Sequence, residues 1–411
     1  MIAAEKSQQN SKPWLSVRRI RAHAILLALC LWSVCAVDYA TPGIFDRAGN
    51  IKFQDFIQFP ISARLIAEGR ISSLYDPQAL NQQIRAMVGN TNAYLEFYQA
   101  PQVVLPFMAL SRLSFLTQAI IWVTFSLLIY FACVYELWKT CGAFKSYPKL
   151  VALCAVAYPP LFHFFVRGQL SVLILLCFTC ACLAFRARHD WLAGIALGCL
   201  AFKPQFLIAI PFVLLAAQAW KAVSGLIISA VAQLAFSVVF FGQAVMRTYV
   251  SVLLHHASQP ELSLLPDQMH SLRSFWALLI PSASIVWLLY FLSCVATIAL
   301  AAAIWKSSSP LSVRFSALAL AAVLVNPHLF VYDLLALVPV FMLAADWALS
   351  DDRQSYLSTF GPLLYLAFVL PLFGPLSRWT HIQLSVIVFV ALLWIFYRHR
   401  ISGSALFENQ G

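Results

Sequence analysis

The sequence predicts an all-α integral membrane protein with about 12 transmembrane helices, and three observations carry that expectation. Hydrophobic residues make up 62% of the 411-residue chain and charged residues only 10%, whereas a soluble domain carries about 25% charged residues. Apolar runs long enough to cross a bilayer recur from residue 22 to residue 397. No Gly or Pro repeat, charge block or internal period points to a disordered, collagenous or solenoid class.

A span needs about 20 apolar residues. The runs are 22–40, 114–138, 149–166, 169–186, 190–203, 204–220, 222–242, 283–305, 313–327, 328–347, 355–373 and 380–397. Two of the boundaries are breaks inside longer apolar stretches, at Lys203-Pro204 and at Pro327. Proline fixes φ and removes a backbone donor, so both read as turning points. The first run follows Lys6, Lys12, Arg18, Arg19 and Arg21 without a clean small-residue cleavage site, which reads as a retained signal anchor. Threading from a cytoplasmic N-terminus puts 16 Lys and Arg inside and 5 outside, with the long first loop set aside. The reading is therefore a multi-pass protein of the cell inner (plasma) membrane with both termini cytoplasmic. Tails of 1–21 and 398–411 flank one integral unit of 22–397, with external loops at 41–113 and 243–282.

The first loop is too apolar to be free. Pro60 can start and Gly69 can end an amphipathic helix lying in the membrane interface. Residues 101–112 are too short to span and suggest a second interfacial or re-entrant helix.

The net charge of +11 comes from basic residues in short loops between apolar runs. That pattern sets membrane orientation and argues against nucleic acid as a partner. Nine of the ten cysteines lie in apolar runs and Cys141 lies in a basic loop, so neither a disulfide framework nor a metal centre is expected.

Polar groups inside apolar runs are costly and face a cavity or a partner. Asp55, Arg167-Gly168-Gln169, Lys203-Pro204-Gln205, His270 with Arg273, and Asn326-Pro327-His328 fall at the outer ends of spans in this threading, with Tyr332-Asp333 one turn deeper. They predict one outward-opening polar cavity. Arg, Lys and His suit a phosphate, and a carboxylate beside them suits a general base. The mixture fits cleavage of a lipid-phosphate bond with transfer of its head group, and a glycosyl group on a polyprenyl phosphate suits it well.

Each residue also has a structural reading. Asp55 can cap a helix, and Asp76, before Pro77, can be a turn or cap residue. Lys203 can snorkel. Asp333 is better read as half of an ion pair between spans than as catalytic. His270 and Arg273 share a helical face by i,i+3 spacing. No metal or other cofactor is implied, because no carboxylate cluster accompanies the cations.

The ordered set of motifs resembles glycosyltransferase family 87. It consists of Asp55-Phe56, Leu74-Tyr75-Asp76-Pro77 with a Pro-containing apolar helix after it, Gly168-Gln169, Lys203-Pro204-Gln205 and Asn326-Pro327-His328-Leu329-Phe330-Val331-Tyr332-Asp333. The resemblance runs from about residue 50 to 347. It implies the C-type glycosyltransferase fold, with two interfacial helices after the first span, and a hexosyltransferase using polyprenyl-phosphate mannose; a single carboxylate base, with the phosphate leaving from the opposite face, would make the transfer inverting. It makes Asp55 the base. Lys203, Arg167, His328, Arg273 and His270 are then expected at the donor phosphate, and Gln169, Gln205, Asn326, Tyr332, Asp333, Tyr75 and Asp76 in the substrate pocket. The partners implied are the lipid-linked sugar donor, a lipid or glycan acceptor, and membrane lipids. One departure is Tyr98-Gln99-Ala100-Pro101, where the family often has Tyr-Pro-Pro. A lipid-linked substrate transporter would place its polar groups near the midplane, often in matching halves. A polysaccharide polymerase or ligase usually has its large loop late in the chain, whereas here the longest loop is the first.

Overall fold

A computed structural model describes residues 16–89, 96–258, 266–350 and 354–408. Lys6, Lys12 and Arg353, part of each tail and stretches of both external loops lie outside the described residues. The fold is all-helical, and the isolated bridges are Phe45 with Ile51 and Met269 with Phe330.

Helix α1 (Val17–Tyr39) leads into the first loop, which contains α2 (Gln58–Ala67), α3 (Pro77–Val88) and α4 (Leu105–Met108). The chain continues through α5 (Phe115–Thr140), α6 (Pro148–Ala157), α7 (Pro159–Arg167), α8 (Ser171–Arg186), α9 (Asp190–Gly198), α10 (Ile210–Ala216) and α11 (Trp220–Phe241). The second half runs through α12 (Gln243–Ser258), α13 (Leu272–Leu279), α14 (Ala283–Lys306), α15 (Leu311–Val325), α16 (Val338–Ala348), α17 (Gln354–Val369), α18 (Ser377–Thr380) and α19 (Leu384–Glu408).

Every predicted apolar run is largely helical, but the count of 12 crossings does not follow from that. Among the described residues six helices are long and apolar enough to cross a membrane, or seven if the pair α6 and α7 is one broken span. The segments Ser171–Arg186, Asp190–Phe202, Pro204–Ala216 and Leu311–Val325 are apolar but short. The run 149–166, read as one span, bends by 50° between α6 and α7. Pro159 opens α7 and Tyr158 before it is extended, as the residue before a proline tends to be.

The other proline breaks form as expected. Helix α9 gives way to a 3₁₀ turn, Cys199–Phe202, then to non-helical Lys203 and a second turn, Pro204–Leu207. Helix α15 ends at Asn326, and helical structure resumes only at Val331. Helix α9 is seated by backbone contact. A Cβ on Gly194 or Gly198 would overlap the carbonyl of Ala222 or Leu226, and one on Gly225 would overlap that of Trp191. Small residues let α9 and α11 approach this closely, which fixes where α9 delivers Lys203. Helix α15 is buried from Phe315 to Val325 and is apolar all round, as a central helix must be. At the far end of the Val331–Ala348 segment, Asp346 accepts from the amides of Gly142 and Ala143 at 3.1 and 2.7 Å.

The first loop differs from expectation. Helix α2 forms, but Phe59 to Ala63, Leu65 and Ile66 are buried in the protein, so it does not lie with one face free to lipid. Phe59 stacks on Phe107 at 5.2 Å, and Phe56 meets Phe107 edge-on. The segment 101–112 is a 3₁₀ turn followed by α4, of four residues, rather than a full interfacial helix. Pro101 and Pro106 each remove a donor from so short a run.

Candidate active site

Asp55 stands in a tight turn built from aromatic residues. Phe53 adopts φ +54°, a strained region for a bulky side chain. Its amide donates to the Tyr39 hydroxyl at 3.2 Å and its ring meets the Tyr39 ring edge-on. The amide of Phe56 donates to the carbonyls of both Phe53 and Arg167, at 2.8 and 3.1 Å. The N-cap of α2 is Ile57, with no side-chain cap bond. Asp55 is therefore not the cap. Only its main-chain carbonyl serves the helix start, accepting from Gln58 Nε2 at 2.7 Å.

The tripeptide Arg167-Gly168-Gln169 grips the carboxylate from both sides. Gly168 ends α7 in the left-handed region at φ +69°. A Cβ there would lie 2.7 Å from Phe56 Cβ. Glycine thus meets a conformational and a steric need at once. Gln169 Nε2 donates to Asp55 Oδ2 at 2.8 Å and lies 3.4 Å from the Tyr332 hydroxyl. The Gln169 carbonyl accepts from Trp122 Nε1 at 3.2 Å. Arg167 Nη1 lies 3.5 Å from Asp55 Oδ1 and 3.4 Å from Gln54 Oε1. The side chains of Arg167 and Asp55 are 38% and 22% exposed.

The second carboxylate is buried and takes two donors on one oxygen. Lys203 Nζ and Ser171 Oγ each donate to Asp333 Oδ1 at 2.6 Å. The pair is only 5% and 2% exposed. Lys203 also lies 5.6 Å from the centre of the Tyr332 ring, and Tyr332 stacks on Phe330. The pairing reading of Asp333 is the one seen here, and Lys203 is its partner rather than a cation held ready for a ligand. A polar chain thus runs Arg167, Asp55, Gln169, Tyr332, and then Lys203 with Asp333.

The remaining expected residues divide. Arg273 Nη1 lies 3.4 Å from His328 Nε2, and its guanidinium sits 4.5 Å from the Trp287 ring. His328 stands on the loop that leads to Tyr332, and Arg273 in the first turn of α13. Asn326 is buried and folds that loop, its Oδ1 accepting from the His328 amide at 2.9 Å. Gln205 is half-buried on the turn after Lys203.

Three expectations are corrected. His270 is not on a helical face with Arg273, because Ser271 caps α13 after it. Its ring is 1% exposed and bonded to Ser385 at 2.7 Å. Burial, with a smaller push from His163, lowers its pKa to about 3. A neutral imidazole brings no charge to a phosphate. Asp76 is exposed and caps α3, accepting from the Gln78 amide at 2.9 Å. Tyr75 is buried, with its hydroxyl on the Gln99 carbonyl at 2.9 Å and its ring against Phe97 and Tyr249, so it packs the first loop.

Two residues were missed. Ser171 was hidden because a serine at a helix start reads as a capping residue. Tyr98 was noted only for departing from a motif. The residue is partly exposed, but desolvation of its hydroxyl and then the charges of Asp55, Asp333 and Glu96 raise the hydroxyl pKa, so it stands within electrostatic reach of both carboxylates. Among the described residues no group of three or more His, Cys, Asp or Glu is placed to hold a metal ion.

A family model for glycosyltransferase family 87 matches residues 97–331, more than half of the chain. The match takes in Arg167, Gln169, Lys203 and His328 and leaves out Asp55 and Asp333. No curated protein and no solved structure matches the chain.

Proposed function

Because the chain belongs to glycosyltransferase family 87, a family of membrane glycosyltransferases, we propose that it moves a hexose, mannose in the first instance, from a polyprenyl-phosphate donor to a hydroxyl of a lipid or glycan acceptor at the outer face of the membrane. Asp55 is the general base. It takes the proton of the acceptor hydroxyl as that oxygen forms a bond to the anomeric carbon. The bond from that carbon to the donor phosphate breaks, its electron pair leaving with the phosphate. Attack and departure on opposite faces invert the configuration. A phosphate leaves as a stable anion and needs cations rather than an acid, so one carboxylate suffices.

The observation that carries this reading is a partly exposed carboxylate, not spent on a helix cap, held between an amide and a guanidinium. Arg167 then serves the phosphate, with the Arg273–His328 pair as further support. Lys203 supports from behind through Asp333. In the same reading residues 22–397 form one catalytic unit, with loops 41–113 and 243–282 outside and both tails in the cytoplasm.

The test is incubation of the purified protein with radiolabelled polyprenyl-phosphate mannose and a membrane lipid extract, followed by product analysis and anomeric assignment. Transfer with inversion is expected. Retention would discard the single-base mechanism, and turnover of a nucleotide sugar instead would discard the donor. Cysteine labelling should find 41–113 accessible from outside and 139–148 from inside. The reverse pattern would move the site to the cytoplasmic face.

A further inference from the structure

The cation on Asp55 is held in a way that suits release. A charge-assisted bond between a guanidinium and a carboxylate runs at about 2.7–2.9 Å and is often bidentate. Here a single nitrogen, Nη1, is shared between Asp55 Oδ1 at 3.5 Å and Gln54 Oε1 at 3.4 Å. The Arg167 side chain is 38% exposed. Its backbone is fixed, because the Arg167 carbonyl accepts from the Phe56 amide and Gly168 is pressed against Phe56. The guanidinium can therefore swing while its root stays in place. Asp55 would not follow it, since Gln169 holds the other carboxylate oxygen at 2.8 Å. Lys203 has no such latitude, being buried at 2.6 Å from Asp333.

We propose that Arg167 is an exchangeable cover on Asp55: it neutralises the carboxylate in the empty site and is drawn onto the phosphate of the incoming lipid-linked donor, so that donor binding uncovers the base. This rests on the polyprenyl-phosphate reading above. A phosphate offers the guanidinium two oxygens for its planar fork, more than the single long contact it gives up. One side chain then serves two anions in turn. Binding becomes ordered, with the donor first, and Asp55 stays covered while no donor is present to react. After transfer the phosphate carries an additional charge, which holds Arg167 off Asp55 until the lipid leaves.

The experiment uses the full chain in lipid nanodiscs and a short-chain polyprenyl monophosphate as probe. Probe binding is measured directly with radiolabelled lipid. The state of Asp55 is read from its rate of modification by a hydrophobic carbodiimide, followed by peptide mass spectrometry. Carbodiimides react at the carboxyl oxygens, one of which the guanidinium covers in the empty site. In the wild type, saturating probe should raise the Asp55 modification rate by up to about fivefold, the scale of an exposed ion pair. Arg167→Gln should be modified at the faster rate without probe and gain nothing from saturating probe. Arg167→Lys should keep part of the response. The exchange is overturned if probe binds the wild type and leaves Asp55 modification unchanged or slower. It is also overturned if empty Arg167→Gln matches the empty wild type, or if Arg167→Gln gains as much from probe as the wild type does. Probe that fails to bind the wild type at all removes the donor reading, and the exchange with it.

Discussion

The site contains two carboxylate–cation pairs, linked through Gln169 and Tyr332, and they are built in opposite ways. Asp333 with Lys203 is short, almost wholly buried and completed by Ser171. Asp55 with Arg167 is long, partly exposed and set in a strained turn. A buried pair cannot open without leaving a charge stranded in a low-dielectric interior. An exposed pair contributes little to stability and can be remade with another partner. Residues that look alike in the sequence, an aspartate and a cation at a span end, thus divide into one pair sealed inside the bundle and one left partly open to solvent.

Substitutions can break this contrast. The largest effect is expected at the exposed pair and on rate alone. Asp55→Asn keeps the shape and, through its amide oxygen, the bond from Gln169, but gives up the long contact with Arg167 and cannot accept a proton. Turnover of the lipid-linked donor should fall by about 10² to 10⁴ with the melting temperature unchanged. Wild-type turnover would leave Asp55 a structural residue and turn attention to Glu68 and Glu96.

At the buried pair the loss should be one of stability. Lys203→Met strands Asp333 and should cost about 3–5 kcal/mol, read by thermal unfolding in detergent. Lys203→Met with Asp333→Leu should recover much of that loss, because replacing a whole buried pair by apolar groups is often neutral. A Lys203→Met protein of normal stability that no longer binds donor would reverse the assignment of the two pairs.

Between the pairs, Gly168→Ala puts a side chain into the left-handed region at a cost of about 1–2 kcal/mol, and its Cβ also meets Phe56. The Asp55 turn should shift relative to Gln169, so activity should fall by more than stability does. Equal activity would mean that the turn does not depend on this contact.

The last contrast concerns His270, which belongs to neither pair and should show itself on acidification. Its folded pKa of about 3 lies below the ordinary value of about 6.5, so the unfolded chain takes up the proton first. Its contribution to stability is full above pH 6.5 and is lost as pH falls toward 3, at about 1.4 kcal/mol per pH unit. His270→Gln should be less stable at neutral pH yet lose less on acidification from pH 6.5 to 5. An unchanged slope would show that other groups set the acid sensitivity.

Much of this architecture could be read from the chain alone. Apolar runs must satisfy their backbone internally and so become helices, and Pro159, Pro204 and Pro327 each remove a donor where helices break. A costly polar group in such a run needs a reason, which singled out Asp55, Arg167, Gln169, Lys203 and Asp333 before any geometry. The bend at Pro159 and the helix α3 over 77–88 are legible in principle, from Tyr158-Pro159-Pro160 and Asp76-Pro77. What composition could not supply is which partner each group takes. Asp333 meets Lys203 across 130 residues and Asp55 meets Gln169 across 114, and sequence spacing says nothing about contacts at that range. Nor could the pattern show that His270 is sealed against Ser385, or that α2 is enclosed by Phe97 and Phe107. Those facts depend on burial, which a residue acquires from its neighbours. The sequence determined a membrane helix bundle and the set of polar side chains it must accommodate. Only the tertiary structure decided which of them are sealed in a buried pair and which stay partly exposed, because the cost of a charge depends on the dielectric around it, and packing sets that dielectric.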